Sequence, residues 1–200
     1  ALLAVSKTWR ASAVREAFAA GQRLFGENYV QEGVDKARTL VALDLDWHFI
    51  GPLQSNKTRA VAETFAWVHS IDRLKVAERL SGQRPDNLPA LQVCIQVNVS
   101  GETSKSGVSP DEASALAHGV AELPHIQLRG LMAIPEPVDD FARQRAAFRR
   151  VRGVFERLNK EGLSLDTLSM GMSHDLEAAI AEGATMVRVG TAIFGERNKA

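Results

Sequence analysis

An α/β chain closed as a single (β/α)8 barrel, the TIM-barrel arrangement, is the architecture this sequence predicts, on three observations. Eight short apolar runs of strand length alternate with segments of helical period, with no repeat of meander spacing. The fifth run, Leu91 to Val99, alternates: Val93, Ile95, Val97 and Val99 would face helices, while Cys94, Gln96 and Asn98 face a barrel interior. Polar residues recur where the runs end, which is where a barrel gathers its active groups. A doubly wound open sheet is the second architecture these runs allow.

The elements follow in order. Ala1-Leu2-Leu3-Ala4-Val5 is the first strand, and it ends on Ser6-Lys7-Thr8. Ala11 to Ala20 is helix-like, Gln22 to Gly26 is the second strand, and Tyr29 to Leu43 is the second helix. Trp47 to Gly51 is the third strand, which Pro52 stops because it lacks an N–H and fixes φ. Gln54 to Phe65 is helix-like, Trp67 to Ile71 is the fourth strand, and Asp72 is the expected N-cap of a helix running to Leu80. Ser81 to Pro89 is a loop rich in glycine and proline before the fifth strand. Pro110-Asp111-Glu112 suits the first turn of the next helix.

Gln127 to Ile134 is the sixth strand, closed by Pro135-Glu136-Pro137. A long amphipathic helix follows, with Phe141, Phe148, Val151, Phe155 and Leu158 on one stripe. Its other face carries Arg143, Arg145, Arg149, Arg150 and Arg152, either a solvated surface or a docking face. Thr167 to Met170 is the seventh strand, Leu176 to Glu182 a short helix, and Met186 to Phe194 the eighth strand. Residues 1–200 therefore read as one barrel domain. The chain opens inside a strand and without methionine, so a helix ahead of this numbering is expected to cover the barrel's remaining side.

Composition excludes several classes of function. At 45% hydrophobic and 24% charged the chain is an ordinary globular one, and 24 basic residues balance 24 acidic ones. A neutral chain offers no general field for nucleic acid or an anionic membrane, and neither is an expected partner. The single cysteine, Cys94, sits in an apolar run and reads as a buried, inert thiol, so no disulfide framework exists. With no run long enough to span a bilayer and no leader, a cytoplasmic location is expected. No metal site is expected.

Chemistry is carried by the strand ends. Lys7 stands at the mouth of a buried strand, where an ammonium is costly unless it neutralises, finds a partner or snorkels into solvent. A lysine there serves as a Schiff-base nucleophile or an anion ligand. Beside it would gather Asn28, His48, Asn98, Met132, Ser169 and Arg188 from later strands, as a ligand site or a satisfied polar plug.

The last two strand ends favour the ligand. Ser169-Met170-Gly171-Met172-Ser173-His174-Asp175 and Arg188-Val189-Gly190-Thr191 place glycines and hydroxyls where barrels bind phosphate, and Ser173, Gly190 and Thr191 are the expected ligands. The loop Gly101 to Gly107 lacks a glycine ahead of its lysine and fails the nucleotide-binding phosphate-loop pattern. A lysine nucleophile, a phosphate cradle and an inward arginine together point to pyridoxal 5′-phosphate: an aldehyde for Lys7, a phosphate for the cradle, a ring nitrogen for Arg188.

Seven segments then carry a resemblance. Ala4-Val5-Ser6-Lys7-Thr8, Phe25-Gly26-Glu27-Asn28-Tyr29, His48 to Lys57, Ser104-Lys105-Ser106-Gly107, Arg129-Gly130-Leu131-Met132, Ser169 to Ser173 and Arg188 to Gly195 together resemble the YggS/PROSC pyridoxal-phosphate homeostasis proteins. The resemblance implies a fold-type III barrel like the N-terminal domain of alanine racemase, without the C-terminal β domain of the racemases. It implies the cofactor held as a Schiff base on Lys7, phosphate contacts from Ser173, Gly190 and Thr191, and Arg188 near the pyridine nitrogen. It further implies that Asn28, His48, Met132 and Ser169 line the pocket.

Three functions are weighed. A non-catalytic carrier that buffers the cofactor and delivers it to pyridoxal-phosphate-dependent apo-enzymes needs only the site. An amino-acid racemase needs a second base, which in similar racemases is a tyrosine of another domain, and the one tyrosine here is Tyr29. A sugar-phosphate isomerase or aldolase using Lys7 directly would share the barrel and cradle but lacks an obvious general acid, since Asp175 and Glu177 suit capping. The carrier is the expected function, as a monomer, with the racemase as the alternative. Lys57 and Lys105 are rim lysines for which a solvated role is expected.

Overall fold

Short strands with one residue in two turned outward leave every other side chain facing its partners across a closed interior, and the chain follows that rule. The computed structural model describes residues 1–100 and 106–196. Its first half runs β1 (Leu2–Val5), α1 (Ala11–Ala19), β2 (Leu24–Glu27), α2 (Val30–Thr39), β3 (Asp46–Phe49), α3 (Thr58–Thr64), β4 (Trp67–Ile71) and α4 (Leu74–Gln83). Its second half runs β5 (Leu91–Gln96), α5 (Ala113–Ala121), β6 (Ile126–Met132), α6 (Phe141–Lys160), β7 (Thr167–Ser169), α7 (Leu176–Ala181), β8 (Val187–Val189) and α8 (Thr191–Phe194).

The strands are parallel and stand in the order β7-β6-β5-β4-β3-β2-β1-β8. Sequential order without reversal excludes the doubly wound sheet, which needs a point where strand order switches. Closure between β7 and β8 rests on a single bridge, Ser169 to Met186, reinforced by Met170 N donating to Met186 O at 3.1 Å and Arg188 N to Gly171 O at 2.9 Å. The barrel is shut by a short seam beside the predicted phosphate loops.

Outward residues Phe25, Phe49, Val68, Val93, Ile95 and Leu131 form one shell with Val14, Val34, Val61, Leu80, Val120 and Phe148 of the helices. Inside the barrel, Leu3, Val5, Ile50 and Met186 make a smaller cluster against Leu24. Lys7 follows β1 in a turn and lines the same cleft as Val5. The buried guanidinium of Arg84 donates to Ala62 O at 2.6 Å and Phe65 O at 2.8 Å, ending α3 against the barrel base. No helix among the described residues is long and apolar enough to cross a membrane.

Four sequence expectations are corrected. The eighth strand stops at Val189, because Gly190 O accepts Ile193 N and Phe194 N, both at 2.9 Å, and the apolar run turns into a single helical turn. Phe194 then stacks on Trp9, with ring centroids 5.8 Å apart. Asp72 does not cap α4: its carboxylate pairs with Arg73 at 2.7 Å, and Arg73 holds the cap position without a side-chain bond. The segment from Gln54 splits into a 3-10 turn, Ser55–Lys57, and α3. Finally, α5 starts at Ala113, after a reciprocal lock in which Ser109 N donates to Glu112 Oε2 at 2.9 Å and Glu112 N to Ser109 Oγ at 3.3 Å. Lys105 and residues 101–105 of the rim loop lie outside the described residues.

Candidate functional site

The C-terminal strand ends open into a cleft of about 200 Å³. Lys7, Asn28, Ser173, Arg188, Gly190 and Thr191 line it, six of the nine residues singled out in the sequence. Val5, Ile50, Ile134 and Met172 add apolar walls, and His174 a further polar one. These five were not legible as lining residues, since they reach the cleft from the strand body or from loops whose paths the sequence does not fix.

Lys7 is carried on a tight corner. Trp9 N donates to Ser6 O at 3.0 Å, so Lys7 and Thr8 are the two central residues of a four-residue turn. Thr8 has φ of 68°, a left-handed conformation normally left to glycine and strained for a β-branched residue. A buried polar cluster stands behind this corner. Ser6 Oγ donates to Glu27 Oε1 at 2.6 Å, and the Lys36 ammonium donates to Ser6 O at 2.7 Å, Glu27 Oε1 at 2.8 Å and Glu32 Oε1 at 2.6 Å. Thr8 N closes the ring by donating to Glu32 Oε1 at 2.5 Å. Burial pushes the Glu27 carboxyl above its usual range, and Lys36 opposes that push. Gly33 lets α2 come this near, since a Cβ there would stand 2.5 Å from the Phe65 ring and 3.2 Å from Glu27 Cβ.

His48, Met132 and Ser169 do not line the cleft. All three are fully buried, because β3, β6 and β7 turn them into the barrel interior beneath it. There His48 stacks on Trp67, and His48 Nδ1 lies 2.9 Å from Nε2 of His69. His69 Nδ1 in turn lies 2.8 Å from Ser169 Oγ, which accepts from Arg188 Nη1 at 2.8 Å. Arg188 Nη2 donates to Ala133 O at 2.8 Å.

An arginine only donates, so the Ser169 hydroxyl donates to His69 Nδ1, His69 Nε2–H donates to His48 Nδ1, and His48 carries its hydrogen on Nε2. Among the described residues that Nε2 has no partner. Burial lowers the His48 imidazole from 6.5 to about 3, and burial, His48 and Arg188 together push His69 well below 6.5. Both rings are neutral at pH 7. Burial also lowers Arg188 to about 10 and raises the Cys94 thiol to about 12, which leaves the thiol inert. His69 was missed in the sequence; its place two residues after the inward Trp67 on β4 was the available signal.

The remaining wall is built by loops. Gly171 has φ of 95°, and Met172 N donates to Asp175 Oδ1 at 2.6 Å, which folds the loop that presents Ser173. At Gly190 a Cβ would come 3.2 Å from Val5 O, so the chain passes close to β1 with bare backbone toward the cleft. Behind α7, Glu182 is fully buried under Arg145 at 2.7 Å, Arg149 at 3.0 Å and Arg152 at 3.3 Å. Hydrogen bonding from Arg149 holds its carboxyl below the usual glutamate range against the opposing effect of burial. Three of the five arginines read as a solvated or docking face are thus spent on clamping α7 to α6. The backbone N–H of Asn98 donates to Val108 O at 2.8 Å, and Asn98 too is not part of the cleft lining. Among the described residues no group of three histidine, cysteine, aspartate or glutamate side chains could hold a metal. What the cleft assembles is a primary amine, a guanidinium and two hydroxyls against bare backbone.

Comparison with known proteins agrees with the barrel fold. The chain is 65% identical over 197 residues to the pyridoxal phosphate homeostasis protein of Pseudomonas aeruginosa, covering 98% of this chain and 84% of that one. It is 60% identical over 200 residues to the pyridoxal phosphate homeostasis protein of Escherichia coli K12, covering 98% and 86%. Its fold matches PipY of Synechococcus elongatus PCC7942 with PLP bound, at a TM-score of 0.90 and 43% identity, covering 98% of this chain and 92% of PipY. With the family model described as alanine racemase, N-terminal domain, matching residues 1–198, the chain belongs to that family.

Proposed function

We propose that this chain binds pyridoxal 5′-phosphate reversibly and serves the homeostasis of that cofactor in the cytoplasm, as a monomeric single-barrel carrier rather than an enzyme. The observation that carries the reading is the meeting of Lys7 and Arg188 with the Ser173 and Thr191 hydroxyls in one cleft. The donor set fits the group. Asn28 Oδ1 is buried with no partner among the described residues, an unused acceptor suited to a hydroxyl. Gly190 offers backbone where a side chain would crowd Val5 O. PipY with PLP bound and the two homeostasis proteins support the same reading.

When bound, the cofactor supplies an aldehyde that condenses with a neutral amine, forming a C=N bond and releasing the carbonyl oxygen as water. Lys7 would give that amine, and the Ser6 to Trp9 turn that follows β1 holds it at the cleft. Ser173, Thr191 and the Gly190 backbone would hold the phosphate. Arg188 cannot serve as a proton acceptor, so beside a ring nitrogen it would keep that atom unprotonated and limit demanding carbanion chemistry. His48, His69 and Ser169 would act from below, by fixing Arg188 through their hydrogen-bonded chain rather than by contact. A racemase needs a second base; Tyr29 is 57% exposed and is not part of the cleft lining. Apo-enzymes dependent on the cofactor are the expected recipients.

The test is the absorption spectrum of the protein mixed with pyridoxal 5′-phosphate, before and after borohydride, with peptide mapping and an alanine chirality assay. A visible band that reduces onto Lys7, with no racemisation, is expected. A label on another lysine, or none, overturns the site; turnover of alanine overturns the carrier.

A further inference from the structure

The turn that carries Lys7 is strained, since Thr8 occupies a conformation it would not choose alone. The support comes from the residues on either side. Ser6 is held through both its hydroxyl and its carbonyl, by Glu27 at 2.6 Å and Lys36 at 2.7 Å, and Thr8 is held through its amide by Glu32 at 2.5 Å. A lysine ammonium has three donors, and Lys36 spends them on Ser6 O, Glu27 and Glu32. It is 6% exposed, so these bonds are made away from competing water. One cation therefore joins the two carboxylates that grip the residues before and after Lys7.

We propose that Lys36 is a positioning residue for Lys7. By joining Glu27 and Glu32 it holds the Ser6 to Trp9 turn in its strained form, and the strained form presents the Lys7 amine to the cleft. The inference deepens the cofactor reading and rests on it. Covalent capture of an aldehyde depends on the amine standing where the carbonyl carbon arrives, whereas Ser173, Gly190 and Thr191 are not residues of this turn, which meets α8 at the stack of Trp9 on Phe194.

The experiment separates the two. Lys36→Met and Glu32→Ala are compared with the unsubstituted protein for borohydride-trapped label on Lys7 from pyridoxal 5′-phosphate, and for affinity toward pyridoxine 5′-phosphate, which has the phosphate but no aldehyde. The label at a fixed sub-saturating dose is expected to fall on the order of tenfold, while pyridoxine 5′-phosphate affinity stays within about twofold. Thr8→Gly added to Glu32→Ala is expected to restore most of the label, because glycine holds a positive φ without help. A general loss of structure would lower both ligands together and would not be rescued by glycine.

Unchanged label in folded variants, a parallel loss of both ligands, or no recovery with Thr8→Gly would each overturn the proposal. Should Lys36→Met fail to fold, the Glu32→Ala and Thr8→Gly pair decides alone, since Glu32 sits at the edge of the cluster. Absence of label on Lys7 in the unsubstituted protein overturns the cofactor reading itself, and that outcome is read without any variant.

Discussion

The hydroxyl of Ser169 lies 2.8 Å from Nδ1 of His69, a residue 100 positions away, and so ties β7 to β4 across the barrel interior. Replacing Ser169 with alanine leaves a fully buried imidazole nitrogen without its partner and removes one of the two groups that Arg188 Nη1 holds. The expected cost is about 1–3 kcal/mol of stability, measured by urea unfolding. A cost under about 0.5 kcal/mol would show that the interior chain from Arg188 to His48 is not coupled through this hydroxyl.

The same two histidines set a pH dependence. His48 is lowered from 6.5 to about 3, chiefly by burial, and His69 is lowered as well. In the unfolded chain both take up protons as pH falls through about 6.5, while the folded chain keeps them neutral, so the unfolded state binds more protons and stability drops. The stability is fully present above pH 6.5 and is lost as pH falls toward the folded values. Each histidine contributes a slope of about 1.4 kcal/mol per pH unit once the unfolded chain is protonated. Urea unfolding between pH 6 and pH 5 should show this slope, and His69→Gln should remove about one proton's worth of it. Glu27, raised by burial, acts in the opposite sense, so a slope below one histidine's share would mean its contribution prevails.

Much of this arrangement was legible in the sequence and part of it was not, for identifiable reasons. The barrel followed from eight runs and their alternation, and Lys7, Asn28 and Arg188 from their places at strand ends, because parity and strand termini are local properties. The length of β8 was overread because Ala192-Ile193-Phe194 is a short apolar run, and periodicity does not separate such a run from one turn of helix. His48, Met132 and Ser169 were assigned to the cleft because parity gives the face of a strand but not the depth along it. Glu182 escaped notice because its partners lie on another helix, and Lys36 because two of its three partners, Ser6 and Glu27, lie outside α2. A lysine on the buried stripe of α2, three residues after Gly33 and four after Glu32, was nonetheless a readable sign of an inward cation.

Gly51 marks a contact that the sequence motif does not explain and the structure does. A Cβ there would stand 2.1 Å from Asn28 O, which is backbone and cannot swing aside. Gly51→Ala should cost at least about 3 kcal/mol and displace Asn28 from the cleft wall. Gly82 in α4 is the internal control, since its Cβ would meet nothing within 4 Å. Gly82→Ala should raise stability by about 0.5–1 kcal/mol through helix propensity, and thermal melts of the two variants should move in opposite directions.

Thr191 tests the phosphate cradle without disturbing the fold. It is exposed at the first position of α8, so Thr191→Val keeps the shape and should leave stability within about 0.5 kcal/mol. A hydroxyl donating to a phosphate oxygen makes a charge-assisted bond, and its loss should weaken pyridoxine 5′-phosphate by about tenfold in a titration. Lys7→Ala should do the reverse, leaving that affinity near its original value while abolishing the borohydride-trapped label. Unchanged affinity in Thr191→Val would remove Thr191 from the phosphate ligands and leave the cradle to Ser173 and the Gly190 backbone. A parallel loss in both variants would mean that amine and phosphate sites are not separable, and the division of the cleft into a covalent end and a phosphate end would fall with it.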